Sequence, residues 1–267
     1  MQKAFYLCAL VRSGLLPELR TTGLDAESPV VTRDFGDVTA VMCEVSLDEF
    51  SGPSAEAHLK DLAWVGPRVV RHGEIVQETM RYSPVLPARF GTLFSSAESL
   101  ERVVQRNLPE INLFFDFVAG KDEWAVKVMF ARADAKMRLI SQRLSDQAET
   151  FAGMSQGLRY VKERQLSAIV DKEIGTWMKG ILNSVASDLT QCAADWRKRE
   201  IRIGTPEEVA EEKVANWAFL VDRTEVEDFT MRISKTNAEC HVSGLFFDMT
   251  GPWPPYSFTP RLEMEAD

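Results

Sequence analysis

The sequence predicts an α+β protein with two domains and an extended C-terminal tail. Strand-like and helical segments alternate at hairpin-like spacing, which favours the α+β class over a doubly wound α/β sheet. Gly120 separates two such mixed halves, and residues 251–267 are rich in proline. A chain of 267 residues is long enough for two domains of ordinary size. We therefore predict domains over residues 1–119 and 120–250, followed by a tail over 251–267.

The first half combines a buried strand, a hairpin and a helical stretch. Residues 3–11 carry apolar side chains on both alternating faces, which is typical of a strand covered on both sides. Strand-like runs over 30–33 and 38–45 flank a glycine-containing turn and predict a hairpin. A helix is expected from Ser54, and the Gly-Pro pair at 66–67 should kink or split it. The apolar positions at helical spacing in this region are Leu59, Leu62, Val69, Val76 and Met80.

An extended stretch and a second helical region complete this half. Residues 83–94 contain two prolines and a glycine among apolar residues, so they predict an irregular or edge strand. Ser95 and Glu98 have the spacing of a capping box at the start of a helix. That helix carries a wide apolar stripe over residues 100–118, and Pro109 is expected to bend it.

The second half reads as strands and helices in an order that suggests a ferredoxin-like sheet over residues 121–250. Its first strand shows the clearest alternation of the whole sequence. An acidic connector over residues 204–212 precedes the next strand. The predicted order is strand 124–130, helix 134–151, helix 159–199, strand 214–221, helix 224–234 and strand 240–247.

The long helical segment over residues 159–199 has apolar residues that step by three and four. It is an arm of a helical hairpin, a rod that binds a partner, or part of the core, and the core interpretation is favoured. The apolar positions are Leu166, Ile169, Val170, Ile174, Trp177, Met178, Ile181, Leu182, Val185, Leu189, Ala193 and Trp196.

Charge and hydropathy narrow the classes of partner. A net charge of −9 repels phosphate backbones, so no nucleic-acid partner is expected. The densest basic group, Arg197, Lys198, Arg199 and Arg202, is expected to lie at a helix C-terminus, where cations are favoured. No apolar run approaches the roughly 20 residues of a membrane-spanning helix. The N-terminus lacks the pattern of a signal peptide, so a cytoplasmic protein is expected.

The sequence carries no arrangement typical of catalysis or metal binding. His58 and His72 are separated by about four helical turns, too far to share a metal along one helix, and His241 is alone. The cysteines form no CxxC pair, and Cys8 and Cys43 fall in apolar strands, which predicts buried thiols. Neither a phosphate-binding loop nor a nucleophile elbow is present. We therefore predict no enzymatic activity, no catalytic or metal-binding residues and no cofactor.

The segment VLPARFGTLF, residues 85–94, is the first candidate partner-binding element. Pro87 and Gly91 flank Arg89 and Phe90. In the favoured interpretation Gly91 supplies a special backbone angle and Arg89 pairs with a buried carboxylate. In the alternative, the segment is a rigid loop that is offered to a partner.

The segment GPWPPYSF, residues 251–258, is the second candidate. Its three prolines preset an extended backbone, which lowers the entropic cost of docking, and its aromatic residues offer large contact areas. Docking on its own domain is favoured over recruitment of another protein, because the aromatic rings would otherwise remain in water. The candidate partner-binding residues are Pro87, Arg89, Phe90, Trp253, Tyr256 and Phe258.

These same segments carry a resemblance to the GvpF/GvpL proteins of gas vesicles. Three ordered motifs match that family: VLPARFGTLF at 85–94, EWAVKV at 123–128 and GPWPPYSF at 251–258. Weaker matches are Phe5-Tyr6-Leu7, Trp64, His72 and GLRYV at 157–161. Their order and spacing agree along nearly the whole chain.

The resemblance implies a two-domain α+β protein whose second domain is a modified ferredoxin-like fold, with the C-terminal tail packed across the molecule. It implies an assembly factor or minor shell component of gas vesicles that contacts the hydrophobic shell protein and other accessory proteins, and hence a location at the gas vesicle. Catalytic residues are not implied. Two alternatives stay open from the residues: an enzyme with a small ligand in a cleft between the domains, or a general regulatory interaction module.

Overall fold

The computed structural model describes residues 3–19, 21–25, 27–147, 153–201, 211–240 and 243–263. The chain divides into two compact units. The first unit takes residues 1–123 together with 252–267, and the second takes residues 124–251. Helices and strands are mixed within each unit, which confirms the predicted α+β class.

The first unit is built on an antiparallel sheet in which β1 is central. The strands are β1 (Lys3–Arg12), β2 (Val30–Phe35), β3 (Val38–Ser46), β4 (Val85–Pro87) and β5 (Leu93–Phe94). Their order is β2-β3-β1-β4, and β5 also pairs with β1. The predicted hairpin is confirmed, because β2 and β3 pair from Val30 opposite Cys43 to Phe35 opposite Val38. The prediction of an edge strand within 83–94 is also confirmed by β4, which lies at the end of the sheet.

Burial explains why β1 occupies the middle of this sheet. Tyr6, Cys8, Ala9 and Val11 are fully buried, as the apolar character of both faces predicted. The pairing of β1 with β3 shifts register between Leu7 and Ala9, which places a bulge at Cys8. Cys8 and Cys43 are buried free thiols, also as predicted.

The described part of the first unit contains the α-helices α1 (Leu47–Phe50), α2 (Pro53–Lys60), α3 (Leu62–Met80), α4 (Ala97–Arg106) and α5 (Leu108–Val118). The helical region after Ser54 is split, but the prediction that the break lies at residues 66–67 is wrong. It lies at Asp61, which leaves helical geometry and accepts a hydrogen bond from the Ala63 N–H as the N-cap of α3. Pro67 removes one backbone hydrogen bond inside α3, and the buried face of that helix offsets the loss.

The predicted capping box is also displaced by one position. Ser96, not Ser95, has the extended backbone of an N-cap. Its hydroxyl oxygen accepts from the Ser99 N–H and its own N–H donates to the Ser99 hydroxyl, so Ser99 rather than Glu98 completes the box. The following helix breaks at Asn107, so Pro109 lies in the first turn of α5 and does not bend a continuous helix. Proline is well tolerated there because a first-turn N–H has no partner within the helix.

The second unit has the strand order of a ferredoxin-like sheet. Its strands are β6 (Lys121–Phe130), β7 (Asp195–Lys198), β8 (Glu212–Asp222) and β9 (Leu245–Trp253), in the order β7-β8-β6-β9. Its helices are α6 (Arg132–Asp146), α7 (Gln156–Leu189) and α8 (Val226–Cys240). Along the chain this is a β-α-β-β-α-β unit with α6 added before α7.

Three predicted boundaries in this unit are wrong. Helix α7 ends at Leu189 rather than 199, and a 3₁₀ turn over Thr190–Cys192 leads into β7. The basic residues Arg197 and Lys198 therefore lie on a strand, not at a helix C-terminus, while Arg202 lies outside the described residues. Tertiary packing overrides the helical spacing here, because Trp196 stacks on Phe219 of β8 at 6.0 Å between ring centroids.

The other two corrections concern the C-terminal part of the unit. Helix α8 continues past 234 to Cys240, because Phe229, Ile233 and Cys240 extend one buried face. The last strand accordingly begins at Leu245 instead of 240 and runs to Trp253. Residues 204–210 of the predicted acidic connector lie outside the described residues. So do residues 148–151, the end of the helix predicted over 134–151.

The long helix α7 serves mainly the core, as favoured from its spacing. Val170, Ile174, Val185 and Leu189 are buried against the sheet. Ion pairs from α6 to α7 at Lys136–Asp171 (2.7 Å) and Arg143–Glu173 (2.6 Å) hold the two helices side by side. Ile169 was counted with the core positions, but it is exposed, as are Leu158, Tyr160 and Val161 in the N-terminal part of α7.

Candidate partner-binding site

The C-terminal tail lies against the first unit and is fixed there by side chains from three separate elements. Pro254, Pro255 and Phe258 are buried, and a 3₁₀ turn spans Tyr256–Phe258. At its far end, Asn107 exchanges two hydrogen bonds with the backbone of Glu263, at 2.8 and 3.0 Å. The predicted packing of the tail on the protein body is therefore confirmed.

A buried carboxylate holds the middle of the tail. Glu123 is fully buried, and its two carboxylate oxygens accept hydrogen bonds from the Ser257 N–H at 2.8 Å and the Ser257 hydroxyl at 2.9 Å. A carboxylate that accepts two directed bonds is a strong anchor, because hydrogen bonds to charged groups exceed neutral ones in strength. This contact fixes the tail at one residue.

His72 forms the second anchor. Its ring is buried on α3, and Nδ1 lies 3.0 Å from the Tyr6 hydroxyl. Nε2 lies 3.1 Å from the Ala88 carbonyl oxygen and 3.0 Å from the Tyr256 hydroxyl. One imidazole thus connects the central strand, the loop after β4 and the tail.

The partners of His72 determine its tautomer. The Ala88 carbonyl only accepts, so the proton of a neutral ring must sit on Nε2. Nδ1 is then an acceptor for the Tyr6 O–H, and the Tyr6 oxygen in turn accepts the Gly91 N–H at 3.2 Å. With His72 neutral, each group in this hydrogen-bonded chain has a partner of complementary role.

Burial shifts the titration of these groups in the direction that preserves the network. Desolvation lowers the pKa of His72 below its ordinary value, although the Ala88 carbonyl partly opposes this. Desolvation also raises the pKa of Tyr6 and of Tyr256, so both hydroxyls stay protonated at neutral pH. The contact between His72 and Tyr256 is therefore made between neutral groups.

We predict that acidification destabilises the first unit through His72. Below about pH 6.5 the unfolded chain binds a proton at this residue, whereas the folded chain does not until its lower pKa is reached. The free energy of unfolding should fall in that window by up to about 1.4 kcal/mol per pH unit. The measurement is denaturant unfolding of wild type, His72→Gln and, as a control, His58→Gln between about pH 7.5 and pH 5. Equal pH dependence in the wild type and His72→Gln would contradict the prediction.

An aromatic cluster surrounds this histidine. The rings of Tyr6, Phe50 and Phe90 lie within 6.3 Å of one another, centroid to centroid. Trp64 extends the cluster by an edge contact with Phe50 at 5.2 Å, and the Arg68 guanidinium lies 4.1 Å from the Trp64 ring centroid. The loop and the start of α3 are thus packed on rigid aromatic groups.

The loop over residues 88–92 is shaped by its own backbone. Gly91 has a φ of 87°, which confirms the special angle expected there. The Arg89 carbonyl accepts hydrogen bonds from the Thr92 N–H and hydroxyl. The prediction that Arg89 pairs with a buried carboxylate is wrong: its side chain is exposed and has no ion pair within the described part of the chain.

The six predicted partner-binding residues differ in what they present to solvent. Pro87 and Phe258 are buried, so their part in this region is to shape it. Phe90 is half-buried in the aromatic cluster. Arg89 is exposed, and the solvent-accessible fraction is 43% for Trp253 and 36% for Tyr256. The structure thus brings the loop and tail together, with Phe90 and Tyr256 both on His72.

The outer face of α3 is an apolar surface that sequence reasoning missed. Leu62 is 82% exposed, Val70 62% and Val69 46%. Leu62 and Val69 are seven residues apart and lie on one side of the helix. Val76, seven residues further on that side, is buried, so the exposed apolar surface belongs to the N-terminal half of α3. The core instead receives His72, Ile75, Val76 and Thr79. Leu59, Leu62 and Val69 fit the spacing of a core stripe, but all three are exposed.

Two glycines lie on that outer face. Gly66 falls between Leu62 and Val69, Gly73 follows Val70 by three residues, and a Cβ added at either glycine would meet no atom within 4 Å. The absence of side chains there leaves a shallow depression along the helix. A facing helix or strand could approach its backbone closely.

Other chemistry finds no support among the described residues. Cys8 and Cys43 are inaccessible, and His58 stacks on Trp64 with its Nδ1 on the Glu49 carbonyl. Within the described ranges, no group of three His, Cys, Asp or Glu side chains is placed to hold a metal ion. Nor does any described helix have the length and apolar character to cross a membrane.

Comparison with known proteins identifies the family. The family described as "Gas vesicle synthesis protein GvpL/GvpF" matches residues 4–260. The chain belongs to the GvpL/GvpF family. This confirms the family resemblance and establishes a role in gas vesicles.

Curated relatives of the GvpL/GvpF chain agree. Gas vesicle protein L of Streptomyces sp. (strain CB03234) is 26% identical over 265 residues, covering 98% of this chain and 94% of the relative. Gas vesicle protein L1 of Halobacterium salinarum is 24% identical over 260 residues, covering 91% and 85%. The relatives are therefore aligned almost end to end.

Solved structures share the fold. The crystal structure of GvpF from Anabaena sp. PCC7120 superposes with a TM-score of 0.71 at 15% identity, covering 99% of both chains. That of GvpF from Microcystis aeruginosa gives 0.66 at 14% identity, covering 97% of this chain and 99% of the other. The fold is thus common to these proteins despite low identity.

Proposed function

We propose that this GvpL/GvpF chain acts in gas vesicle assembly, as an assembly factor or minor shell component, by binding the hydrophobic shell protein through the outer face of α3. The observation that carries the proposal is the exposure of Leu62, Val69 and Val70 in the N-terminal half of a helix whose C-terminal half is packed into the core. Apolar side chains aligned on one face of a surface helix are the usual signature of a protein interface.

The chemistry of this face suits a strongly apolar partner. Its glycines permit close approach, and its aliphatic side chains lose water on contact, worth about 25 cal/mol per Å² of apolar surface. A shell protein that must remain unaggregated before assembly needs such a surface to shield it. The net charge of −9 keeps the carrier itself soluble.

The support behind α3 is rigid, which lowers the cost of binding. Asp61 caps the start of the helix, and Arg68 packs on Trp64 within its first turns. The buried His72 fixes its middle to β1 and to the tail. A preorganised face loses little conformational entropy on binding.

We also propose that Arg89, Trp253 and Tyr256 contact gas vesicle accessory proteins. These are the exposed members of the predicted set, and the loop and tail hold them in one unit. The chain would then work at the gas vesicle and in the cytoplasm where its components assemble.

We predict that Leu62→Asp combined with Val70→Asp weakens binding of the shell protein at least about tenfold. Both side chains are exposed, so the free energy of unfolding should change by less than about 0.5 kcal/mol each. The measurement is retention of purified shell protein in solution by purified wild-type or variant chain, followed by light scattering.

The matched control is Leu113→Asp, since Leu113 is 69% exposed on α5 of the same unit. The control should retain the shell protein as the wild type does. If the double variant holds the shell protein in solution as well as the control does, the outer face of α3 is not the docking surface. If neither the wild type nor the Leu113→Asp control keeps the shell protein in solution, the shielding function itself is refuted.

A further inference from the structure

The second unit contains a cleft whose charge is opposite to that of the protein as a whole. It has a volume of about 520 Å³ and lies between the C-terminal half of α7 and the β7–β8 pair. Its walls include Trp196 and Trp217, and Leu182 of α7 adds a third apolar surface. Neither the family resemblance nor the tail site draws on this feature.

Three cations line this cleft, and no lining residue in the described part of the chain is Asp or Glu. They are Lys179 of α7, Lys198 of β7 and Arg199 immediately after it. Lys179 and Lys198 are exposed and make no ion pair with a described residue. The Lys198 ammonium lies 5.7 Å from the Trp196 ring centroid, so it stands over the aromatic wall.

Three acidic residues close in sequence to the cleft are engaged with other cations, while Glu200 and Glu211 are exposed and do not line it. Asp188 pairs with Arg232 at 2.7 Å, and Asp195 pairs with Arg197 at 2.6 Å. Glu212 pairs with Arg132 at 2.6 Å. The positive potential of the cleft is therefore not neutralised by these carboxylates, in a chain whose net charge is −9.

The position of the cleft beside an edge strand favours an extended peptide as its ligand. Among the described strands β7 is at the edge of its sheet, where alternate backbone groups face away from β8. An extended segment can run along such an edge, placing alternate side chains into the cleft. Apolar side chains would meet the tryptophans and carboxylates would meet the cations.

We propose that this cleft binds an extended acidic peptide segment of a partner protein, in which Asp or Glu alternates with apolar residues. Charge complementarity carries the assignment: the net charge of −9 repels such a segment, and the three cations of this cleft attract it. A nucleic acid would meet the same cations, but the overall negative charge opposes a long phosphate backbone. The inference does not depend on where the shell protein docks.

The test is fluorescence anisotropy of the purified full chain with a fluorescein-labelled ten-residue peptide of alternating Glu and Leu. Lys179→Glu combined with Lys198→Glu should weaken binding by about tenfold or more, because two attractions become repulsions. Added salt should weaken the wild-type complex and not the variant. Trp196→Ala should weaken binding with little change in its salt dependence.

The matched control is Lys162→Glu, an exposed lysine roughly 25 Å away along α7, which should bind as the wild type does. The proposal is overturned if a Gln/Leu or Lys/Leu peptide binds equally well. Unchanged affinity in the double variant also overturns it. So does equal binding of single-stranded DNA of the same length, which would assign the cleft to phosphate. Circular dichroism of each variant confirms that a loss of binding is not a loss of fold.

Discussion

Replacing Glu123 with alanine is expected to release the C-terminal tail and to destabilise the first unit by about 2–3 kcal/mol. The change removes a fully buried carboxylate that accepts both hydrogen bonds of Ser257. The Ser257 N–H would then be left without its acceptor. The removal of a buried charge recovers some desolvation energy, which limits the net loss.

Hydrogen exchange measured by mass spectrometry gives the local readout. Amides over residues 252–263 should exchange about 30-fold faster in Glu123→Ala, the factor that corresponds to roughly 2 kcal/mol. Ser257→Ala, which keeps the backbone bond, should show a smaller effect. Glu101→Ala on α4 removes an exposed carboxylate and should leave tail exchange unchanged. Tail protection that survives in Glu123→Ala would show that Asn107 and His72 suffice.

Replacing Phe219 with alanine should have the largest effect on the second unit, a loss of about 3–5 kcal/mol. Phe219 is fully buried on β8, with ring centroids 5.2 Å from Phe229 and 6.2 Å from Trp217. Trp196 stacks on it at 6.0 Å, so one ring supports both tryptophans of the cationic cleft. Truncation would leave a cavity beneath that wall as well as in the core.

Urea unfolding tests this prediction. The urea concentration at the midpoint of the transition should fall, while the slope of the free energy of unfolding against urea concentration should stay nearly constant. Phe219→Leu retains much of the volume and should lose only about 1–1.5 kcal/mol. Phe246→Ala provides the control on β9, since Phe246 is 49% exposed and should cost less than about 0.5 kcal/mol. A loss in Phe219→Ala no larger than in that control would mean that the aromatic stack does not stabilise the sheet.

Local chemistry made parts of the first unit predictable. The apolar character of both faces of β1, the turn at Gly36 and the positive φ of Gly91 follow from side-chain size and backbone sterics alone. The packing of the tail was predictable for a similar reason, because an apolar ring such as Phe258 is unfavourable in water, although Trp253 and Tyr256 stay partly exposed.

The failures concern choices that only tertiary contacts decide. Ser95 and Ser96 are equivalent as caps until the chain direction at the helix start is known. The spacing of residues 190–199 fits a helix, but pairing with β8 and the Trp196–Phe219 stack favour a strand. Leu62 and Val69 were mistaken for core because they share a helical repeat with the buried Val76, and a pattern does not show how far along the helix the core extends.

The role of His72 was likewise hidden from the sequence. Its partners are Tyr6, Ala88 and Tyr256, and the last is 184 residues away. No local signal distinguishes such a histidine from one on the surface. The order of the aromatic motifs in the sequence hinted that they belong together, but only the fold gives the distances from His72 to its partners.

The discontinuity of the first unit has a consequence for biosynthesis. Its central strand leaves the ribosome first, but its last piece, residues 252–267, is translated after the entire second unit. Newly made chains therefore pass through a stage in which the groove around His72 and Glu123 is empty and the second unit is already complete. A premature stop codon at any of residues 252–256 would yield a chain arrested at that stage, because it removes both Tyr256 and Ser257.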